Sequence, residues 1–241
     1  GKEFEGKINA DIVSNGSLSG ELLSVSLKAE KLVGKLRDKI VFGSFDVNLV
    51  DKDLNIRNLD MKVDGTELAL KGKLSEQNNV RFSLLSKDIS GIFTEVLGEL
   101  NVTGKILGQR KTPQLIVDLK AQDLNYDQYK IGSLSSTADI SMDPQQTLLV
   151  NVIADELQFE NESINNIQYN ATGKLSEHQI TLKLQKLKNV LDFHLGGSLI
   201  DKKWKANIFN SEVKTETFGN WRLKQSSKLV IKEEYLEVEK N

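Results

Sequence analysis

Apolar and polar residues alternate along most of this chain. Phe45, Val47 and Leu49 stand two positions apart, with polar residues between them. A period of two is that of a β-strand with one apolar and one polar face. The same spacing recurs at Leu54, Ile56, Leu59, Met61, Val63, Leu68, Leu70, Val80, Phe82, Leu84, Leu115, Val117, Leu119, Leu148, Val150, Val152, Ile180, Leu182, Leu184, Phe193, Leu195, Trp204, Ala206 and Ile208. The pattern predicts an all-β chain of one-sided strands.

Residues that favour turns separate these apolar runs. Asp and Asn tolerate positive φ and make side-chain turns, and Gly adopts positive φ without strain. The candidate turns are Asn15-Gly16, Asp51-Lys52-Asp53, Asp64-Gly65, Asn78-Asn79, Asp143-Pro144 and Asp201-Lys202-Lys203. Short connections of this kind join neighbouring strands as hairpins, so the sheet is predicted to be mainly antiparallel.

One stretch departs from the period of two. Its apolar residues recur at helical spacing after Asp88, and Gly98 follows as a helix stop. The apolar positions are Ile89, Ile92, Phe93, Val96 and Leu97. This pattern predicts one short helix near residues 88–97.

The chain also repeats itself. Residues 23–32 share six identities in ten with residues 115–124, which lie 92 positions later. The run from Gly72 to Glu76 returns from Gly173 to Glu177, 101 positions later. Copies of a unit that cannot bury its own apolar face stack into a linear array. We therefore predict one elongated segment, residues 1–241, with repeat units of about 1–97 and 98–200 and the start of a further unit in 201–241, all belonging to a longer protein.

Composition excludes several classes of function. The 32 basic and 34 acidic residues are interspersed and leave a net charge of −2, which argues against a nucleic-acid partner. Without cysteine the chain has neither disulfides nor thiolate metal sites. No run approaches the roughly 18 apolar residues that a membrane-spanning helix requires.

Candidate catalytic groups are sparse. His178 and His194 lie 16 positions apart without a ligand spacing around them, so strand-face histidines are favoured over a metal site. Gly196-Gly197 falls inside an alternating run, where glycine marks a bulge or bend. A hydrolase on a β scaffold would need clustered acids or a histidine dyad, and the sequence has neither. We expect no enzyme activity, no cofactor and no metal.

A long one-sided sheet must cover its apolar face. Twist and strand glycines allow the sheet to curl, so that apolar faces turn toward one another across a trough. Filled by its own side chains, the trough is the core of a β-solenoid, as in a stalk or adhesin. Left accessible, it offers a continuous apolar lane for acyl chains. Periodicity alone allows both.

A further pattern follows the predicted helix: Gly98-x-Leu100-x-x-x-Gly104-x-Ile106-x-Gly108-x-x-x-x-Pro113-x-Leu115, with Ile131-Gly132-Ser133-Leu134 after it. The pattern resembles a recurring unit of the TamB family. The resemblance implies a taco-shaped β groove in a bridge across a Gram-negative periplasm. That bridge is anchored in the inner membrane, conducts phospholipid toward the outer membrane and pairs with an outer-membrane barrel of the TamA type.

The family has no catalytic residues to assign, so alternation alone selects the positions that would line the groove. A register error of one residue would invert the choice. The predicted lining residues are Phe45, Val47, Leu49, Leu68, Leu70, Val117, Leu119, Val150, Val152, Leu182, Leu184 and Phe193.

Overall fold

The structure of the protein is a computed structural model. It divides the chain into two compact units, Gly1–Pro113 and Gln114–Asn241. The residues that it describes are 6–19, 22–36, 39–200, 203–232 and 235–239. Within these ranges the chain forms seventeen strands and one 3₁₀ helix, which confirms the predicted all-β class.

Unit 1 is a meander of seven strands, each hydrogen-bonded antiparallel to the next along the chain. The strands are β1 (Gly6–Ser19), β2 (Leu22–Leu36), β3 (Lys39–Val50), β4 (Asp53–Val63), β5 (Thr66–Leu74), β6 (Gln77–Ser86) and β7 (Val96–Gln109).

Unit 2 continues in the same manner, and every strand pair in it is antiparallel. Strand β14 pairs with both β15 and β16, and β16 pairs with β17. The strands are β8 (Thr112–Tyr126), β9 (Tyr129–Ser141), β10 (Thr147–Phe159), β11 (Glu162–Lys174), β12 (Glu177–Lys186), β13 (Asn189–Ile200), β14 (Lys203–Thr215), β15 (Gly219–Arg222), β16 (Ser227–Lys232) and β17 (Tyr235–Glu239).

Some of the predicted turns connect strands and others do not. Asp64 and Gly65 link β4 to β5 with φ of 43° and 79°, the left-handed conformation that a tight hairpin turn requires. Asn15-Gly16 and Asn78-Asn79 lie inside β1 and β6 instead, where their backbones pair with β2 and β7. Asp201 and Lys202 lie outside the described residues. Turn-forming residues are therefore tolerated within these strands.

The predicted helix near 88–97 is reduced to a 3₁₀ helix of three residues, Ile89–Gly91. Asp88 caps it, since its side chain accepts a hydrogen bond of 3.0 Å from the Ser90 amide. Val96 and Leu97 belong to β7 rather than to a helix. The reason is tertiary, because Val96 and Leu97 begin the strand that pairs with β6 from Leu100 to Gln109, and this strand outweighs the local helical spacing of the apolar residues.

The sequence repeats map onto matching strands of the two units. The ten-residue match places its copies in β2 and β8, six strands apart. The five-residue match begins at the ends of β5 and β11, also six strands apart. Its glycines, Gly72 and Gly173, have similar positive φ of 134° and 127°. The five-residue repeat therefore begins with the same glycine conformation in both copies, while the predicted repeat boundaries stay a proposal.

A β-bulge in β4 keeps its apolar residues on one face. Asn58 pairs with Asp46 and Ile56 with Val47, which leaves Arg57 as an extra residue. Because the bulge accommodates Arg57 outside the regular pairing, Ile56 and Leu59 face the same side of the sheet although they stand three positions apart. Residues on both sides of the bulge therefore contribute to the same apolar surface.

Candidate functional site

The candidate site is the apolar face of each unit, and in unit 1 strand register defines it directly. Phe45 of β3 lies opposite Leu59 of β4. Directly opposite residues point to the same side of a sheet, so the pairs extend into continuous rows. One row is Ala29, Phe45, Leu59, Leu70 and Phe82, and the next is Leu32, Gly43, Met61, Leu68 and Leu84. A third is Leu27, Val47, Ile56, Gly72 and Val80, flanked by Leu49 and Leu54.

Unit 2 has an equivalent face. Val150 of β10 lies opposite Ala138 of β9 and Ala171 of β11. The row through it is Val117, Ala138, Val150, Ala171, Ile180 and Leu195. The next rows are Leu119, Ser136, Val152, Tyr169, Leu182 and Phe193, and Ala121, Leu134, Ala154, Ile167, Leu184 and Leu191. The apolar surface therefore crosses six strands.

Strand register places all twelve predicted lining residues on these faces. Five lie on the face of unit 1 and seven on the face of unit 2, and all twelve are half-buried. Within unit 1 a small buried cluster of Leu32, Val41 and Val63 packs with Ala10, Phe45 and Met61. Ala29, Ile56 and Val80 in the rows of unit 1 are buried as well, whereas the five predicted lining residues of this unit keep part of their surface accessible.

The 3₁₀ helix covers one end of the face in unit 1. A Cβ on Gly91 would lie 3.2 Å from the Cβ of Asp64, so this helix packs on the turn between β4 and β5. Ile89 is only 2% exposed. Beside the same turn, the hydroxyls of Thr66 and Ser86 form a buried hydrogen bond of 2.6 Å. This end of the apolar face is therefore closed by local structure.

A buried polar pair interrupts the face of unit 2, and sequence reasoning missed it. His178 lies between Gly173 and Gly197 in register and is 5% exposed. Its Nε2 accepts a hydrogen bond of 2.8 Å from the indole Nε1 of Trp204. The proton of the neutral ring then sits on Nδ1, which donates to the Lys174 carbonyl at 3.2 Å. The only sequence signal was Gly196-Gly197 inside a strand.

One ionisable group lies within the rows of unit 2. Burial raises the pKa of the Tyr169 phenol above its ordinary value of 10.0. The phenol therefore stays uncharged at neutral pH and is compatible with an apolar surface.

In the part of the chain that the structure describes, no three His, Asp or Glu side chains come together in a way that could hold a metal ion. Nor does any described helix have the length and apolar character needed to cross a membrane. His194 Nε2 lies 2.9 Å from Asp192 Oδ1 on the polar side of β13. The apolar faces therefore stand as the candidate functional surface.

Comparison with known proteins agrees with this architecture. A family model described as the N-terminal domain of TamB matches residues 2–238. The translocation and assembly module subunit TamB of Haemophilus influenzae is 22% identical to this chain over 167 residues, and the match covers 68% of the chain and 13% of that protein. The chain therefore spans only a small part of the relative's length. No solved structure matches. Because the family model covers nearly the whole chain, the chain belongs to the TamB N-terminal domain family.

Proposed function

We propose that this chain is a segment of a hydrophobic groove that spans the periplasm and conducts phospholipids between the inner and outer membranes. The observation that carries the proposal is the apolar face of each unit. All twelve predicted lining residues lie on these faces, and all remain half-buried. Large accessible apolar surfaces are rare on proteins without a binding role.

The energetics favour acyl chains as the cargo. Each methylene that leaves water for an apolar surface contributes about 0.8 kcal/mol. Rows that cross six strands supply such contacts repeatedly. Similar contacts all along the groove keep the free energy of a bound lipid nearly constant from one position to the next. The lipid can therefore move along the groove.

Family membership supplies the proposed setting. The relative's name describes a subunit of a translocation and assembly module, and we propose the same kind of assembly for this chain. The other proposed partners are an outer-membrane barrel of the TamA type and the inner membrane. The proposal assigns the chain no catalytic step.

A pair of adjacent residues on β10 provides the test. Val150 lies on the apolar face, whereas Leu149 lies on the polar face and is 40% exposed. We expect Val150→Lys to reduce the phospholipid that mass spectrometry detects in extracts of the purified protein, because a charge in the groove repels acyl chains. Leu149→Lys adds the same charge on the other face and should retain the lipid.

Thermal melting of both variants completes the test. A groove that keeps water access lets Val150→Lys fold with a melting temperature close to that of Leu149→Lys. A filled β-solenoid, such as a stalk or adhesin segment, would instead carry no lipid, and Val150→Lys would unfold it by burying an unpaired charge. That combination of results would contradict lipid conduction.

A further inference from the structure

Unit 2 has a concave feature that is distinct from its apolar rows. A cavity of about 1090 Å³ is lined by residues of β11, β12, β13, β14 and β16. The apolar row nearest to it consists of Gly173, His178, Gly197, Ala206 and Leu229. Residues one position away from this row point to the opposite side of the sheet.

Most of the cavity lining belongs to that opposite, polar side. Nine of its fourteen lining residues stand one position from the apolar row, and they include every charged one. They are Thr172, Lys174, Glu177, Gln179, Gly196, Ser198, Lys205, Asn207 and Lys228. The cavity is therefore a depression in the polar face. We call it the polar-face depression.

A glycine explains why the surface is concave there. Gly196 lies opposite Gln179 on β12 and Asn207 on β14, so a position without a side chain sits between two long polar ones. An added Cβ would meet only the Phe209 ring, at an ordinary contact distance of 3.5 Å. The backbone therefore does not require glycine here, and its absent side chain leaves room for a ligand.

The charge of the depression is positive. Lys174, Lys205 and Lys228 line it, with Glu177 as the single acid. Within the described residues Lys174 and Lys205 form no ion pair, whereas Lys183, Lys188 and Lys214 of the same unit do. Lys228 lies opposite Glu239 of β17 in register. An excess of ammonium groups around one concavity creates a positive potential that attracts anions.

We propose that the polar-face depression binds a phosphate-bearing ligand. Lysine is a common point-charge partner of phosphate, and Thr172, Ser198, Gln179 and Asn207 supply neutral donors around the same space. The volume exceeds that of inorganic phosphate and suits a diphosphate or a phosphodiester with its substituents. The source is either a soluble phosphate compound or the headgroup of a lipid surface.

This site is independent of the proposed lipid groove. The depression and the apolar rows lie on opposite sides of the same strands, so a lipid lying on the apolar rows does not place its phosphate in the depression. Loss of lipid conduction would leave the phosphate site intact, and the reverse also holds.

The experiment uses the whole chain and two probes. Calorimetry measures pyrophosphate binding, and co-sedimentation measures binding to phosphatidylglycerol vesicles against phosphatidylcholine vesicles. We compare the wild type with the triple variant Lys174→Gln, Lys205→Gln, Lys228→Gln and with Gly196→Thr, which fills the space without removing charge. The control is Lys71→Gln, Lys105→Gln, Lys120→Gln, which removes equal charge at exposed positions outside the depression.

We expect both site variants to weaken binding about tenfold or more while the control changes it less than about twofold. Pyrophosphate binding alone identifies a soluble ligand, and binding to phosphatidylglycerol vesicles alone identifies a headgroup. Circular dichroism confirms that the variants fold. The proposal is overturned if neither probe binds the wild type, or if the control loses as much affinity as the lysine triple variant.

Discussion

The indole nitrogen of Trp204 donates a hydrogen bond of 2.8 Å to Nε2 of His178, across 26 residues of sequence. The strand between them, β13, passes through this contact at Gly197. A Cβ on Gly197 would lie 2.5 Å from His178 Nε2 and 3.1 Å from Trp204 Nε1. The polar pair therefore depends on a bare backbone position between its two partners.

Gly197→Ala is expected to destabilise the protein by about 1–3 kcal/mol, because the methyl group forces the imidazole and the indole apart. Urea unfolding measures the change. Gly196→Ala is the matched control, since its Cβ meets only the Phe209 ring at 3.5 Å. Equal stability of the two variants would show that the pair does not restrict position 197.

Trp204→Phe should cost about 1–3 kcal/mol, because it leaves the buried Nε2 of His178 without a donor. Equilibrium unfolding monitored by circular dichroism gives the value. Trp221→Phe removes an indole that is 65% exposed and bonded only to the Phe218 carbonyl. Water replaces that exposed bond, so the control should change stability by less than about 0.5 kcal/mol. A cost for Trp221→Phe as large as that for Trp204→Phe would argue against a structural role for the buried pair.

Deleting Arg57 should destabilise unit 1 far less than deleting Asp60 of the same strand. Without Arg57, Ile56 and Asn58 become neighbours and still pair with Val47 and Asp46, so the apolar residues on both sides of the former bulge stay on one face. The loss is mainly an exposed ion pair with Asp46 at 3.2 Å, worth about 0–1 kcal/mol. Asp60 is exposed and regularly paired, so its deletion makes Leu59 and Met61 neighbours and turns apolar side chains on one side of the cut to the polar face. Urea unfolding of the two deletions measures the difference, and equal costs would contradict the register argument.

Acid should weaken the cap of the 3₁₀ helix. The hydrogen bond from the Ser90 backbone holds the pKa of Asp88 below its ordinary value of 3.8. A lowered pKa in the folded state contributes stability that is complete above pH 3.8 and is lost as the pH falls through the folded-state pKa. The urea midpoint of the wild type should therefore fall more between about pH 5 and 3 than that of Asp88→Asn, whose amide caps without titrating. Parallel pH profiles would exclude a contribution from this carboxylate.

Alternation along the sequence predicts which residues of a strand share a face, except where a bulge shifts the spacing, as in β4. The residues that it selects, such as Val47 and Leu182, lie on continuous apolar rows because side-chain direction in a strand depends only on position. The helix beginning at Ile89 was predicted too long, since local spacing carries no information on the pairing of β7. The contact between His178 and Trp204 and the depression around Gly196 were not predicted. Both arise from residues on separate strands, and only the pairing register brings those residues together.

The meander also determines how a chain of this kind can change in length. Among the described residues of unit 1, successive strands are hydrogen-bonded to one another in sequence order. Inserting or losing one whole hairpin returns the backbone to the same end of the sheet, so every later strand keeps its direction. A single added strand would reverse all those that follow. Evolution can therefore lengthen or shorten such a protein two strands at a time without redesigning the surfaces already present.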